Sequence, residues 1–449
     1  MKNARAGSVD ATASRRTQTV YPAAAGKDGM ARVAIFHNTL DFQGGADVVC
    51  LSTCAALQAD HDVTLYTISE TDPGDLAARF GIELDGRLDV RTPTGTGGLA
   101  RALSAAAPAV GSQLAFRSAL LRRAVEDRLD GYDLVVSTAN EVSLPTPSVQ
   151  YVHYPQFNAH RTSDGAGRLN RVWSRLAAPE PGDGTALLAN SAWTAGVVDD
   201  VYGVRPSVVH PPVDPIEGAR EWTARRDGIV VVGRLAPDKR IHDAIRIVDG
   251  VRARGHDLTL HVVGAAPRAY RRYARQIESM AAERPYVTVE RDAPRARLEE
   301  LLCTHKYGLN CKPEEHFGMS VAEYVASGMV AFAPDSGGQR EILDERDDRL
   351  FGSVTEAVDR IAAAADADDP PELPPDRFAS DRFRRAIREA VAGGVVGSGG
   401  GERGGLAVYS SSGTPAPGRG RGGGGGRGPG TRGELPRGGW RGPGRGNRP

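Results

Sequence analysis

The feature that most constrains the fold is a strand–turn–helix pattern that occurs twice along the 449 residues. Its first copy begins with the apolar run 32–37, which is followed by Gly44-Gly45, a helical stretch at 48–57 and a second apolar run at 62–68. Short apolar runs bounded by turn residues predict buried parallel strands, and a helix between two of them predicts a doubly wound α/β sheet. Further strands in this half are predicted at 132–137, 147–153 and 185–189.

The second copy of the pattern begins at 228–233 and continues through a helix at 242–253, a strand at 258–263 and a helix at 268–282. The other elements predicted in this half are strands at 287–290, 307–310 and 330–333 and helices at 296–302 and 319–327. Between the two copies, the proline-rich segment 205–226 fits neither pattern and is typical of an interdomain linker. The sequence therefore predicts an α/β protein with two Rossmann-like domains.

These patterns set the predicted domain boundaries. Residues 1–30 are a polar, disordered leader, 31–215 form the N-terminal domain, and 216–392 form the C-terminal domain with a basic amphipathic helix at its end, 381–391. The tail 393–449 is rich in Gly and Arg, carries nine arginines against two glutamates and cannot bury a core, so it is predicted to be disordered. It is a solvated tail, the product of a reading-frame slip, or an RNA-binding segment; its scarcity of aromatic residues argues against nucleic acid.

The expected location is cytoplasmic. No stretch approaches the roughly 20 apolar residues of a membrane span, and the polar leader has no signal-peptide core. The four cysteines are scattered and are predicted to be reduced, buried thiols rather than disulfides or a zinc site: Cys50, Cys54, Cys303 and Cys311.

Two segments of the N-terminal half, 113–128 and 168–176, mix arginine with apolar residues at helical spacing. Such a segment is either a half-buried helix with its arginines in water or a helix that lies on an anionic membrane surface. The second interpretation predicts peripheral contact with a membrane.

Two glutamates provide the most informative motif. Glu315 stands in a loop and Glu323 lies one turn into the helix predicted to begin at Met319. Both carboxylates can then face one crevice at a helix N-terminus, where backbone N–H groups favour an anion such as a pyrophosphate. Carboxylates also accept hydrogen bonds from sugar hydroxyls. The alternative is that the two residues only cap the helix.

A pair of cations is predicted at the same edge of the second sheet. Arg234 and Lys239 follow Gly233 at the end of a buried strand, where open α/β sheets bind ligands. A fork-shaped guanidinium and a point-charge ammonium together suit a diphosphate. Ser336-Gly337-Gly338 follows another strand with a flexible turn at this edge.

Taken in order, these segments resemble the family 4 glycosyltransferases. The resemblance covers residues 32 to 391 and rests on five motifs in register: Gly44-Gly45, Asn190-Ser191 with 209–214, Gly233-Arg234…Lys239, Glu315…Glu323, and Ser336-Gly337-Gly338…Glu341. Residues 151–155 and 315–318 look most like the mannosyltransferases that extend lipid-linked oligosaccharides on the cytosolic face of a membrane. Met329-Val330 and Asp292-Ala293 depart from the pattern of many relatives, which leaves the donor sugar open.

The resemblance implies a GT-B fold, with the two domains facing a central cleft, and a set of roles in the donor half. Arg234 and Lys239, next to Gly233, would hold the donor diphosphate and stabilise the charge on the leaving group. Glu315 would bind hydroxyls of the transferred sugar and Glu323 the donor ribose. Phe317, Gly318 and Met319 would offer backbone N–H groups beside the sugar.

In the N-terminal half, Gly44 and Gly45 would let the backbone approach donor and acceptor closely. His153, at a predicted strand end, would contact the sugar or polarise a carbonyl; a structural role is the alternative.

The expected function is thus that of a retaining glycosyltransferase without metal or cofactor. It would move a hexose, with mannose as the candidate, from a nucleotide diphosphate sugar to a glycan or lipid-linked acceptor. The alternatives are a nucleotide-sugar epimerase of the same architecture, and a non-catalytic sugar- or RNA-binding protein that uses the tail.

Overall fold

The computed structural model describes residues 30–86, 88–93, 114–144, 148–155, 184–267 and 270–396, together with positions 98 and 102. The predicted leader up to residue 29, the segment 168–176 and the tail beyond residue 396 lie outside the described residues.

The first half of the described chain builds a seven-stranded sheet in which all the neighbouring strands are parallel. Its strand order is β3-β2-β1-β4-β5-β6-β7. The strands are β1 (Arg32–Phe36), β2 (Asp62–Tyr66), β3 (Asp89–Arg91), β4 (Leu134–Ser137), β5 (Ser148–Val152), β6 (Ala186–Ala189) and β7 (Ser207–Val208).

The second half builds a six-stranded parallel sheet of order β10-β9-β8-β11-β12-β13. Its strands are β8 (Arg226–Val232), β9 (Thr259–Gly264), β10 (Val287–Arg291), β11 (His305–Leu309), β12 (Val330–Pro334) and β13 (Leu350–Phe351). Both sheets have the doubly wound order in which the chain starts in the middle, winds to one edge and then crosses to the other.

The helices are α1 (Gly45–Leu57), α2 (Pro73–Arg79), α3 (Leu114–Leu129), α4 (Ala192–Tyr202), α5 (Ile241–Ala253), α6 (Arg271–Ala282), α7 (Arg295–Thr304), α8 (Met319–Ala326), α9 (Gln339–Ile342), α10 (Val354–Ala367) and α11 (Ser380–Val396). Short 3₁₀ turns lie at Trp222–Ala224 and Pro237–Lys239.

The prediction of two doubly wound α/β sheets is confirmed, and each strand predicted from an apolar run is present with bounds shifted by at most a few residues. The sequence did not reveal the short edge strands β3, β7 and β13. Each of them is an edge strand, which pairs with another strand on one side only. Each is also too short to contain a recognisable apolar pattern.

The last helix packs against the sheet that was built first. In sequence order α11 follows the second sheet, and sequence analysis grouped it with the C-terminal domain. Its buried residues Phe383, Ile387 and Val391 instead belong to the apolar core formed by α1 and the first sheet. The ring of Phe383 meets that of Tyr151 edge to face at 6.2 Å, and Arg388 Nε donates to the Ala56 carbonyl at 2.9 Å.

Helix α3 is half-buried, as the first interpretation of segment 113–128 predicted. Leu121, Val125 and Leu129 pack in the core beneath β1 and β4. The expectation that its arginines face water is wrong for Arg117, which is 0% exposed and lies 3.9 Å from the Asp41 carboxylate. Because Arg117 is buried together with the apolar residues, the buried face of α3 is wider than its apolar residues alone predict.

All four cysteines are free and buried, which confirms their prediction as thiols. Among the described helices, none combines the length and apolar character that crossing a membrane requires.

The site is positioned by the points at which strand order reverses. These points lie between β1 and β4 in the first sheet and between β8 and β11 in the second. Because ligands bind at such switch points, beyond the carboxyl ends of the strands, the loops that follow these four strands are where a ligand site is expected.

Candidate active site

An ion pair joins the loops that follow β8 and β11. The Nζ of Lys239, in the 3₁₀ turn after β8, lies 2.8 Å from Glu315 Oε2 in the loop after β11, and Lys312 Nζ lies 3.4 Å from Oε1. The side chains of Lys239 and Glu315 are only 18% and 16% exposed. Burial alone would raise the pKa of Glu315, but Lys239 and Lys312 lower it to about 2. Glu315 is therefore ionised at neutral pH.

Glycines shape the loop that carries Glu315. Gly318 precedes α8 at φ +114°, in the left-handed region that only glycine enters without strain. A Cβ on Gly337 would lie 2.4 Å from the Glu315 carbonyl oxygen, and one on Gly338 would lie 2.4 Å from that of His316. The Ser336-Gly337-Gly338 turn is thus packed directly on the Glu315 loop, and Gly338 N donates to the Glu315 carbonyl at 2.8 Å.

A buried amide fixes the other side of this loop. Gln339 is fully buried, and its Nε2 lies 3.1 Å from each of the carbonyl oxygens of Lys312, Pro334 and Ser336. Its Oε1 accepts from Asn310 Nδ2 at 2.7 Å. One side chain therefore ties the start of the loop to the glycine turn.

Tyr324 anchors α8 to the sheet at the switch point. Its hydroxyl accepts from Val232 N at 2.7 Å and donates to the Leu309 carbonyl at 3.3 Å, which joins the ends of β8 and β11. Gly308 leaves room for the ring, since a Cβ there would lie 2.2 Å from Tyr324 Cγ. The N-terminus of α8 is consequently fixed beside Glu315.

The remaining predicted donor residues are placed around this centre. Gly233 directly follows β8, and a Cβ there would be 3.5 Å from the Lys239 side chain. Arg234 is 53% exposed and lies 3.6 Å from Asp238, so it borders the pair rather than joining it. Glu323, within α8, forms an ion pair with Arg295 at the start of α7. Phe317 is buried in an apolar cluster, so only its backbone is available to a ligand.

The Gly44-Gly45 loop after β1 rests on a buried pair of charged residues. Asp47 Oδ2 accepts from Gly44 N at 2.8 Å, and Asp47 Oδ1 lies 3.1 Å from His37 Nε2. His37 Nδ1 lies 3.0 Å from Thr138 Oγ1 after β4. Burial lowers the pKa of His37, but Cys50 and the Asp47 carboxylate raise it to about 10, so the ring is protonated.

The two halves of the molecule approach each other at the N-termini of α1 and α8. A Cβ on Gly45 would lie 3.0 Å from Met319 Cγ. Gly45 and Met319 are the first residues of their helices, so two helix N-termini with their free N–H groups face one region.

His153 lies directly after β5, near this region. Its Nε2 is 3.2 Å from the Thr138 carbonyl, and its backbone N donates to Asn140 Oδ1 at 2.6 Å. Burial, followed by the positive charge of His37, lowers the pKa of His153 to about 3. The ring is therefore neutral, and because a carbonyl only accepts, Nε2 carries the proton.

A second set of contacts between the two halves lies around the N-terminus of α4. Ser191 Oγ donates to the His316 carbonyl at 2.6 Å, and the rings of Tyr154 and His316 stack at 4.2 Å. The predicted motifs Asn190-Ser191, Glu315 and Glu341 thus belong to one continuous region.

Sequence reasoning did not identify His37, Asp47 or Gln339 as parts of the site. A signal existed for the first two, because His37 ends an apolar strand and Asp47 occupies the third position of the helix after the Gly-Gly turn, where an acid caps. Gln339 carried no signal, since a single amide in a turn is usually solvated. Across the described part of the chain, no three His, Cys, Asp or Glu side chains are grouped to hold a metal ion.

Comparisons with known proteins agree with this geometry. Residues 219–367 match the family model of the glycosyl transferases group 1, and this stretch carries Arg234, Lys239, Glu315 and Glu323.

Two related sequences are described as GDP-Man:Man(3)GlcNAc(2)-PP-Dol alpha-1,2-mannosyltransferases. The protein of Eremothecium gossypii is 26% identical over 164 residues, which are 34% of this chain and 28% of that one. The protein of Neurospora crassa is 23% identical over 280 residues, 49% of this chain and 50% of that one. The chain thus matches half or less of the length of these relatives.

Among solved structures, the chain is similar to Anabaena Alr3699/HepE, which was crystallised with UDP and glucose. The TM-score is 0.56 at 15% identity, and the match covers 81% of this chain and 99% of that one. This likeness confirms the predicted GT-B fold. The chain therefore adopts the GT-B fold, and residues 219–367 of its second half match the family model of the glycosyl transferases group 1.

Proposed function

We propose that this protein is a retaining glycosyltransferase that moves a hexose from a nucleoside diphosphate sugar to a glycan or lipid-linked acceptor. The observation that carries the proposal is the Lys239–Glu315 pair, placed at the switch point of the second sheet and beside the N-terminus of α8. The description of the related mannosyltransferases makes mannose the candidate sugar.

The charge at this edge suits the diphosphate of such a donor. Lys239 and Lys312 share the single carboxylate of Glu315, so this cluster has one positive charge in excess. The N-termini of α1 and α8 add partial positive charge, and backbone N–H groups at a helix N-terminus can donate hydrogen bonds to an anion. Lys239, with Arg234 at the border, would stabilise the negative charge that develops on the departing nucleoside diphosphate.

Glu315 is the residue we assign to the transferred sugar. Its carboxylate is ionised and held between two lysines, so it can accept hydrogen bonds from sugar hydroxyls without losing its position. In the transfer, the bond between the anomeric carbon and the diphosphate oxygen breaks and the nucleoside diphosphate leaves, while the acceptor hydroxyl oxygen bonds to the anomeric carbon and its proton passes to the departing diphosphate. We assign Glu323, one turn into α8, to the donor ribose.

His153 is assigned to the sugar side of the reaction centre. A neutral ring whose Nε2 hydrogen is directed at the Thr138 carbonyl leaves Nδ1 as an acceptor. It can therefore accept a hydrogen bond from a sugar hydroxyl, whereas a protonated ring could not. Gly44 and Gly45 would let the backbone after β1 come close to donor and acceptor.

The acceptor is assigned to the N-terminal half, and the names of the related mannosyltransferases support a lipid-linked one. We propose a cytoplasmic protein that contacts the membrane peripherally. Arg123 and Arg128 of α3 are exposed and would be available to an anionic surface. Arg117 would contribute nothing, because it is buried.

The test combines binding and transfer. GDP-mannose, UDP-glucose and UDP-N-acetylglucosamine are titrated into the protein by calorimetry, and each is then supplied with a lipid-linked chitobiose-type acceptor and free glycans. Transfer with retention of configuration, read by NMR of the product anomer, is the expected result. Turnover of the donor without acceptor would favour an epimerase or hydrolase, and binding without turnover would favour a sugar-binding protein.

A matched pair of lysine variants locates the site. Lys239→Met should weaken nucleoside diphosphate binding by about tenfold or more, since a charge-assisted contact contributes roughly 1.5–3 kcal/mol. Lys306→Met is the control, because Lys306 is also paired with carboxylates, Asp227 and Asp368, but is the second residue of β11 and lies at the opposite edge of the sheet. Equal affinity of wild type and Lys239→Met would contradict the assignment.

A further inference from the structure

The first turn of α4 is bonded to the loop that carries Glu315, although the two belong to different sheets. Ser191 Oγ accepts from Thr194 N at 3.0 Å, as an N-cap does, and donates its own hydrogen to the His316 carbonyl at 2.6 Å. Thr194 Oγ1 approaches the same carbonyl at 3.3 Å. The carbonyl one residue after Glu315 is therefore held by the N-terminal half.

Glu341 makes the reciprocal contact. This residue of α9 belongs to the second half, and its two carboxylate oxygens lie 2.9 and 3.1 Å from Ala192 N, the first residue of α4. His210, just after β7, adds a contact from its Nε2 to Glu341 Oε2 at 3.2 Å. A carboxylate at a helix N-terminus is favourable, because it neutralises the free N–H groups and the positive end of the dipole.

The surfaces around these bonds are packed closely. A Cβ on Gly338 would lie 2.9 Å from Ser191 Cβ, so no larger residue fits at position 338. Trp193 on α4 and His316 on the loop are nearly parallel, with ring centroids 6.0 Å apart, and Tyr154 stacks with both. The α4 N-terminus and the Glu315 loop thus meet through hydrogen bonds and ring contacts at once.

The position of Glu315 depends on contacts from both halves of the molecule. From the second half, Gly338 N and Gln339 hold the loop at Glu315 and Lys312. From the first half, Ser191 holds the carbonyl of His316, the residue that follows Glu315 in the chain. Releasing the first-half contact would leave the loop folded but free to rotate the Glu315 side chain away from Lys239.

We propose that Ser191 and Glu341 are positioning residues that set Glu315 for sugar transfer by bonding the acceptor-side half to the donor-side loop. The inference rests on the proposed function, because it gives Glu315 a role in transfer. Neither residue is assigned to the nucleotide, so both should affect turnover and not nucleoside diphosphate affinity.

A matched pair of serine variants separates this role from helix capping. Ser191 and Ser353 are both N-caps whose hydroxyl accepts from the third helical N–H, at 3.0 and 3.2 Å. Ser353 caps α10 and takes no part in the site. Both Ser191→Ala and Ser353→Ala should lower the melting temperature through the lost cap, and Ser191→Ala should lower it at least as far because it also loses the bond to the His316 carbonyl. Only Ser191→Ala should reduce the turnover number at saturating donor, by about tenfold for one lost hydrogen bond, with UDP and GDP affinity unchanged.

Two further variants test the mechanism. Ser191→Thr keeps a hydroxyl at the N-cap and should restore turnover. Glu341→Ala should reproduce the turnover loss of Ser191→Ala, since it releases the same helix N-terminus from the other side.

Hydrogen exchange provides a readout that needs no substrate. Amides of the peptide 312–320 should exchange faster in Ser191→Ala than in wild type, and at the wild-type rate in Ser353→Ala. If Ser191→Ala matches Ser353→Ala in both exchange and turnover, the positioning inference is wrong. If exchange responds as expected while the wild type transfers no sugar from any donor, the proposed function fails and the contact between the halves stands.

Discussion

At the scale of single residues, the chemistry of the site depends on a small number of charged side chains that lie close together. Glu315 balances two lysines, so removing its charge takes away the carboxylate that both ammonium groups contact in the described part of the chain. Glu323 differs, because its partner Arg295 also pairs with Glu299 at 2.8 Å. The two glutamates should therefore respond differently to substitution.

Glu315→Gln should reduce turnover strongly and should not weaken nucleoside diphosphate binding, because it removes a negative charge near the diphosphate. Glu323→Ala should weaken nucleoside diphosphate binding with a smaller effect on the saturated rate. If the two residues merely capped α8, each variant would lose about 1 kcal/mol of stability and keep its kinetics. Melting temperature, calorimetric affinity and turnover measured on both variants distinguish these outcomes.

The His37–Asp47 pair predicts a pH dependence of stability. The folded-state pKa of His37 is about 10 and lies above its ordinary value of 6.5, so the folded protein holds a proton that the unfolded chain releases between these values. The stabilisation is complete below pH 6.5 and is lost as the pH rises toward 10, with a slope of at most about 1.4 kcal/mol per pH unit.

Asp47→Asn tests this dependence. The amide cannot stabilise the imidazolium, so the variant should be less stable than wild type at pH 6, and the difference should shrink as the pH rises to 9.5. Urea unfolding at several pH values measures it. A difference that is constant with pH would show that His37 is neutral in the folded protein.

At the scale of elements, α11 is the clearest case of a helix whose place the sequence could not reveal. Its apolar stripe predicts burial on one face, yet periodicity does not tell which surface receives that face. The buried strands were predictable because parallel strands covered on both faces are continuously apolar. The Lys239–Glu315 contact was only implied, since it depends on how Gly318, Gly337 and Gly338 fold the loop. The His37–Asp47 pair depends in the same way on the turn at Gly44.

Phe383→Ala should destabilise the N-terminal half by about 3–5 kcal/mol, because it opens a cavity beside Tyr151 in a packed core. Arg385→Ala, on the exposed face of α11, is the control and should change the free energy of unfolding by less than about 0.5 kcal/mol. Both values come from urea denaturation followed by circular dichroism. Equal stability of the two variants would mean that α11 does not complete the first core in solution.

At the scale of the whole molecule, the described structure ends with α11 at Val396, and the sequence beyond it has no apolar pattern. A chain that ends at Val396 should melt within about two degrees of the full chain and bind the same nucleotides. A chain that ends at Ala379 lacks α11 and should melt far lower or aggregate. Differential scanning calorimetry of the three chains tests this, and a large loss on removing only residues after 396 would contradict it.

The return of α11 to the first sheet also has a consequence for synthesis. The strands of that sheet have all been synthesised once Val208 is made, but Phe383 and Val391 follow only after the entire second sheet. At roughly 5–20 residues per second, the nascent chain waits on the order of ten seconds or more with the apolar groove beside α1 uncovered. Translation of this protein thus includes an interval in which a nearly finished domain exposes a surface that later belongs to its core. A chaperone that shields apolar surfaces would act during that interval. A message truncated before codon 380 would yield a chain in which the groove beside α1 stays uncovered.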